Sequence, residues 1–277
     1  MDQMVAATGS GTTTGHANGK MLGSVADGVG TITFNQPEKR NAMSVDMWDG
    51  LSAMLDAWRD DPAVRVVVLT GAGDKAFVSG ADISQFGQSR SNAEAQKEYD
   101  KLTSGGRAKL GAFPKPVIAR IRGFCLGGGL GIAMQADLRI ASDDSQFGIP
   151  AAKLGIAYSF TMVSRLTSLV GQSEARMMLF TGDRIDAAEA LRIKLVNRVV
   201  PAAELDAAVG KLARTIAGNA PLSVGGMKLI SNNVLLDPDA RDMAAVDGAV
   251  LRCFDSADYT EGRTAFMEKR KPQFQGR

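Results

Sequence analysis

Hydrophobic and polar positions alternate with two periods along this chain, and the switches between them mark out its elements. From Met21 to Asn35 the period is that of strands. Val29, Thr31 and Thr33 alternate with Ile32 and Phe34, and Asp27-Gly28 supplies a hairpin turn. Arg65 to Thr70 and Pro116 to Ile121 are apolar runs short enough to be buried strands. Helical spacing begins after Ser44, a suitable N-cap, and puts Met47, Leu51, Met54 and Trp58 on one face of a helix to about Asp60. The pattern then predicts a short buried helix from Leu130 to Ala136, a strand from Asp137 to Ser142 and an extended segment from Ser145 to Pro150. Helices from Thr161 to Val170, from Ser173 to Thr181 and from Asp186 follow, with a short strand from Leu195 to Val200. Beyond Pro201 no strand pattern remains, and Leu205, Val209, Leu212 and Ile216 mark an amphipathic helix. The prediction is an α/β chain in three parts. Residues 1–20 are a disordered Gly/Thr/Ser-rich tail, 21–200 a mixed core, and 201–277 a helical region suited to subunit contact.

Two glycine clusters carry candidate chemistry. Gly123-Phe124-Cys125-Leu126-Gly127-Gly128-Gly129-Leu130-Gly131 joins a strand to a helix, where the first-turn N–H groups have no intrahelical partner. With no Cβ in the way, a substrate can approach that backbone closely. Ala76 to Ile83 repeats the design after the Arg65–Thr70 strand, with Gly80 ahead of an expected helix start. Adjacent in one sheet layer, the two units would aim two N–H donors at one point, which suits a thioester oxygen becoming an oxyanion. Ser84 to Lys115 is polar and then weakly helical. It is a candidate mobile lid carrying Glu94, Glu98, Tyr99 and Asp100.

Composition narrows the chemistry further. The chain has 277 residues, 45% of them apolar, enough for a substantial core, and no run approaches a membrane span. Its net charge of +2 argues for neither nucleic acid nor a charged membrane as partner. Cys125 and Cys253 stand far apart in apolar surroundings and suggest no disulfide framework. His16 is the sole histidine and lies in the tail, so a Ser-His-Asp or Cys-His site in the core is excluded and no metal site is expected. The tail lacks the marks of a secretory or transit peptide, so a cytoplasmic protein is expected. Gly71-Ala72-Gly73-Asp74-Lys75-Ala76 formally matches a dinucleotide fingerprint. Phe77 to Gly80 interrupts the helix such a motif should open, and no acid stands at the required distance.

The chain resembles the enoyl-CoA hydratase/isomerase (crotonase) family over about residues 21–277. The resemblance rests on signals in a fixed order. Asn35-Gln36-Pro37 comes with Arg40-Asn41-Ala42, then Lys75-Ala76-Phe77 with Ser79-Gly80-Ala81-Asp82-Ile83. Leu126-Gly127-Gly128-Gly129 follows Gly123, then Asp137, Phe147-Gly148 with Pro150, Leu154-Gly155, Thr181-Gly182, and Glu189-Ala190 through Leu195-Val196. It implies a crotonase-like ββα spiral core with a C-terminal α-helical oligomerisation region, forming a homotrimer or a dimer of trimers. It also implies an acyl-CoA substrate, with coenzyme A part of that substrate and no separate cofactor. By the resemblance the oxyanion donors are the N–H groups of Ala81 and Gly128. Asp82, Ile83, Ser84, Ala42 and Gly127 line the site, and Lys39 and Arg40 occupy a stretch that approaches CoA.

One departure from the family bears on the reaction. Family hydratases carry two glutamates that hold water and move protons, and the matching places here are Gly131 and Ala151. Neither can exchange a proton. The carboxylate that some family isomerases keep near Ser159 is missing too. Ordinary two-glutamate hydration is therefore not expected, and space for a larger acyl group is one reason for the small residues. Tyr158 leads the remaining candidates for proton transfer. The readings to separate are an enzyme working through a CoA-thioester enolate, an acyl-CoA binding protein without turnover, and, least supported, a dinucleotide-dependent enzyme.

Overall fold

The computed structural model describes residues 13–82 and 93–277. Strand β1 (Thr13–His16) pairs antiparallel with β2 (Met21–Ala26), which pairs antiparallel with β3 (Val29–Phe34). Asp27 and Gly28 both have positive φ, the turn that matches the twist of a two-residue hairpin. Helix α1 (Val45–Arg59) buries Met47, Leu51, Met54 and Trp58, the face its spacing predicts. Ser44 stands at the N-cap, but its hydroxyl donates to the Asp46 carboxylate and accepts no backbone N–H.

A repeated unit follows. Strand β4 (Val66–Gly71) leads into short β5 (Ala76–Val78) and, further on, helix α2 (Ala93–Gly111). Strand β6 (Val117–Ile121) leads into β7 (Phe124–Leu126) and helix α3 (Gly128–Ala133), and β8 (Leu138–Ser142) into β9 (Gln146–Gly148). Helices α4 (Phe160–Val170) and α5 (Gln172–Thr181), strand β10 (Arg184–Asp186), helix α6 (Ala187–Arg192) and strand β11 (Arg198–Val200) complete the mixed part. The longer strands enter a seven-stranded sheet of order β1-β2-β3-β4-β6-β8-β11, parallel from β3 onward. The short ones enter a four-stranded sheet, β10-β9-β7-β5, in which β5, β7 and β9 run parallel. This is a spiral of ββα turns, with most of the buried apolar side chains in one continuous cluster.

Three expectations change. Residues 13–20 do not belong to a disordered tail: β1 satisfies the outer backbone of β2, and a turn at Asn18 and Gly19 connects them. Residues 93–111 are not a loosely helical lid but a helix packed on α1. A Cβ on Gly106 would lie 2.6 Å from the Trp48 ring, so this glycine permits the close crossing. The rest of the predicted lid, residues 84–92, lies outside the described residues. Beyond Val200 the chain forms helices α7 (Leu205–Ala217), α8 (Pro221–Val234), α9 (Met243–Phe254) and α10 (Ala257–Met267). Helix α7 is no appendage. Its Leu205, Val209, Ala213 and Ala217 pack against Val66, Val68, Ile118 and Ile140 on the outer face of the large sheet. The boundary near Pro201 divides the chain by element type, not by packing.

Candidate active site

Asn41 is the fixed point of the loop before α1. It is fully buried with φ 56°, and its Nδ2 donates to the carbonyls of Ala72 (2.9 Å) and Ala76 (2.8 Å). Its Oδ1 accepts the Gln36 N–H at 3.0 Å, so one amide ties the loop to both ends of the β4–β5 turn. The same crossing accounts for Gly71: a Cβ there would lie 2.3 Å from the Ala76 carbonyl oxygen and 2.4 Å from that of Phe77. The dinucleotide-like turn is thus followed by a strand, and its first glycine is needed for chain packing.

Strands β5 and β7 are parallel neighbours, and an unused backbone N–H follows each. After β5, Ala81 forms a parallel bridge with Met43. The Met43 N–H donates to the Gly80 carbonyl (2.8 Å) and the Asp82 N–H to the Met43 carbonyl (2.9 Å). Pairing through the residues on either side turns the Ala81 N–H the opposite way. After β7, Gly127 caps α3, leaving the Gly128 N–H in a first turn that offers it no carbonyl. Among the described residues neither N–H has a backbone acceptor. A Cβ on Gly128 would stand 3.9 Å from the Ala81 nitrogen, so the two donors border one narrow space. Gly129 makes this approach possible, because a Cβ there would meet the Val78 carbonyl oxygen at 2.0 Å.

That space opens into a cavity of about 500 Å³ lined by Ala81, Gly127, Gly128, Ala151 and Tyr158, among others. The Tyr158 hydroxyl lies 3.3 Å from where a Cβ on Gly127 would be. Lys39, Arg40, Ala42 and Asp82 do not line it. Lys39 Nζ donates to the buried Asp82 carboxylate at 2.7 Å, Arg40 lies 5.1 Å from the centre of the Phe124 ring, and the Ala42 carbonyl accepts from Gln36. These contacts brace the loop beneath Ala81. Ile83 and Ser84 lie outside the described residues. Of the lid residues, Tyr99 and Asp100 line the cavity, whereas Glu94 and Glu98 are exposed.

Among the lining residues that the sequence does not single out, two meet at Gly131. Met162, from α4, fills the space over Gly131: a Cβ on Gly131 would stand 2.5 Å from the Met162 Cε. The expectation that Gly131 enlarges the acyl pocket is corrected, because a thioether from another helix takes up that volume. Arg107, from α2, reaches the same place, its Cδ 3.6 Å from that Cβ position. It donates to Thr103 Oγ1 at 3.3 Å and lies over the Trp48 ring at 5.6 Å. Burial lowers its pKa, while Tyr99, Tyr158 and Asp100 pull the other way. Spacing could have revealed it, since Tyr99, Thr103 and Arg107 recur at intervals of four on one helix face. Nothing local marks Met162.

Comparison with known proteins identifies the family. Residues 24–277 match the enoyl-CoA hydratase/isomerase family. The chain is 41% identical over 243 residues to the crotonyl-CoA hydratase of Syntrophomonas wolfei, covering 88% of this chain and 93% of that one. It is 39% identical over 244 residues to the short-chain-enoyl-CoA hydratase of Clostridium acetobutylicum, covering 88% and 92%. A crystal structure of an enoyl-CoA hydratase/carnithine racemase from Magnetospirillum magneticum superposes with a TM-score of 0.90 at 35% identity, covering 95% of this chain and 97% of that one. The ββα spiral, the paired glycine segments and the ordered motifs together place this chain in the enoyl-CoA hydratase/isomerase family.

Proposed function

We propose that this protein binds an acyl-CoA thioester and stabilises its enolate between the N–H groups of Ala81 and Gly128, without the two-glutamate hydration mechanism. One observation carries the reading: two unspent backbone donors border one space, while the places of the glutamates hold Gly131 and Ala151. In the proposed step a proton leaves the carbon next to the thioester. The C–H electron pair moves into a C=C bond, and the carbonyl oxygen becomes an oxyanion held by both N–H groups. Tyr158 is the side chain proposed to carry the proton, accepting it as a phenolate and returning it as the phenol, since its oxygen stands beside Gly127 at the cradle. The nucleotide end of CoA would pass outward near Lys39 and Arg40, with Asp82 and Ala42 supporting the cradle from behind.

The absence of both carboxylates favours a second reading, acyl-CoA binding without turnover. Hydrogen exchange at the α-carbon of short acyl-CoAs in D2O, read by mass spectrometry with calorimetry in parallel, separates the two. Exchange is the expected result. Binding without exchange assigns the protein to the second reading, and a broad acyl-CoA panel that fails to bind rejects both. Self-association belongs to the same proposal. Leu235, Leu251, Phe254, Phe266 and Met267 are exposed on or just after the C-terminal helices, and a trimer or dimer of trimers would cover them.

A further inference from the structure

The cavity lacks the two carboxylates its family resemblance implies, and the charged residues among its lining are Arg107 and Asp100. The two places expected for glutamates hold Gly131 and Ala151, and the Arg107 side chain passes Gly131, its Cδ 3.6 Å from where a Cβ there would be. Three other cations have close carboxylates, Lys39 with Asp82 at 2.7 Å, Lys228 with Asp137 at 2.7 Å and Arg120 with Asp206 at 2.6 Å, while Arg139 and Lys115 each donate to two backbone carbonyls. Arg107 makes no such pair among the described residues. The undescribed stretch 83–92 contains neither Asp nor Glu to supply one. Asp100 attracts Arg107 only from beyond ion-pair range. A guanidinium partly withdrawn from water without a close counter-ion carries a cost, and an arriving carboxylate offsets it with paired hydrogen bonds. Besides its contacts with Thr103 and the Trp48 ring, donors on its fork have no acceptor among the described residues.

We propose that Arg107 recognises a carboxylate on the acyl group, so that the substrates are CoA monothioesters of dicarboxylic acids. This rests on the acyl-CoA reading of the cavity and adds the acyl class to it. The carboxylate is a recognition handle and not a leaving group. A guanidinium stabilises carboxylate charge in the ground state, which opposes loss of CO2, so glutaryl- or succinyl-type chains fit better than malonyl-type ones. With Gly131 and Ala151 in place of glutamates, no carboxylate at those two positions repels the incoming anion.

The test is calorimetric titration of the full-length protein with glutaryl-CoA and with valeryl-CoA, a neutral chain of matching length. Glutaryl-CoA should bind about tenfold or more tightly, the scale of a charge-assisted pair. In Arg107→Met, and in Arg107→Gln as a second variant, the ratio should fall to about one. Equal affinity of the native protein for the two thioesters overturns the inference while leaving the acyl-CoA reading intact. A preference that survives in a folded Arg107 variant overturns it as well. If neither thioester binds the native protein, the acyl-CoA reading fails and the inference falls with it.

Discussion

Met162 and Gly131 share one volume: the Met162 Cε stands 2.5 Å from where a Cβ on Gly131 would be built. The glycine at this place has therefore left no hole. A flexible thioether from α4 occupies it, and because a methionine tip moves cheaply, the exchange is reversible in principle.

This leads to the first prediction. Gly131→Glu with Ala151→Glu should raise crotonyl-CoA hydration by about 10²-fold or more, the usual worth of placed acid–base groups. Adding Met162→Ala should raise it further by freeing rotamer space for the carboxylate introduced at Gly131. The loss of enoyl-thioester absorbance measures both, and no rise in either variant would show that the cavity does not hold water where the glutamates would use it.

Neighbouring glycines should separate chemistry from stability. Gly129→Ala pushes a Cβ into the Val78 carbonyl and should cost about 3 kcal/mol or more, lowering the melting temperature by roughly 6 °C or more. Gly128→Ala meets only ordinary contacts, so its stability should hold. Its methyl would sit 3.9 Å from the Ala81 nitrogen, inside the cradle, and α-proton exchange should fall about tenfold to a hundredfold. Similar exchange in Gly128→Ala and the parent rejects the cradle.

Asn41→Ala removes the donor to two carbonyls and the acceptor for the Gln36 N–H, all close to the fully buried Asn41. Unsatisfied groups of this kind should cost about 2–4 kcal/mol, read as a lower midpoint in urea. A change below about 0.5 kcal/mol would mean that the loop is held by other contacts.

Tyr158→Phe should lower exchange at the α-carbon by about 10²-fold while acyl-CoA affinity, followed by calorimetry, stays within a few-fold. An unchanged exchange rate removes Tyr158 as the proton carrier and directs attention to Tyr99 and Asp100, which line the same cavity.

Cys125 lies on β7 directly before the cradle segment, yet burial pushes its thiol pKa well above the ordinary value. It should resist iodoacetamide in the native protein and react only on unfolding, whereas the partly exposed Cys253 should react first. Peptide mapping after alkylation reads this directly, and rapid native labelling of Cys125 would show that β7 opens.

Much of the architecture is legible in periodicity. The β2–β3 hairpin, α1 with its buried face, and the paired strand–glycine units emerge from local pattern because each depends on neighbours a few residues away. The short strands β5, β7 and β10 do not, since three-residue segments carry too little period to register. β1 leaves no local trace either, because Thr13 to His16 has no apolar face of its own and is ordered by pairing with β2. The full extent of helix α2 is hidden because Gly105 and Gly106 look like breakers until Trp48 is seen packed against one of them.

Motif order and residue identity suffice for the kind of protein, and they carry the proposed places of the two backbone donors and of the two glutamates. Folding does not alter any of these. What surrounds Gly131 is a matter of packing alone. Met162 and Arg107 come from separate helices, and they meet at Gly131 because α2 crosses α1 closely and α4 packs beside the cavity. Contacts between distant helices are set by packing geometry, and local sequence carries no record of them.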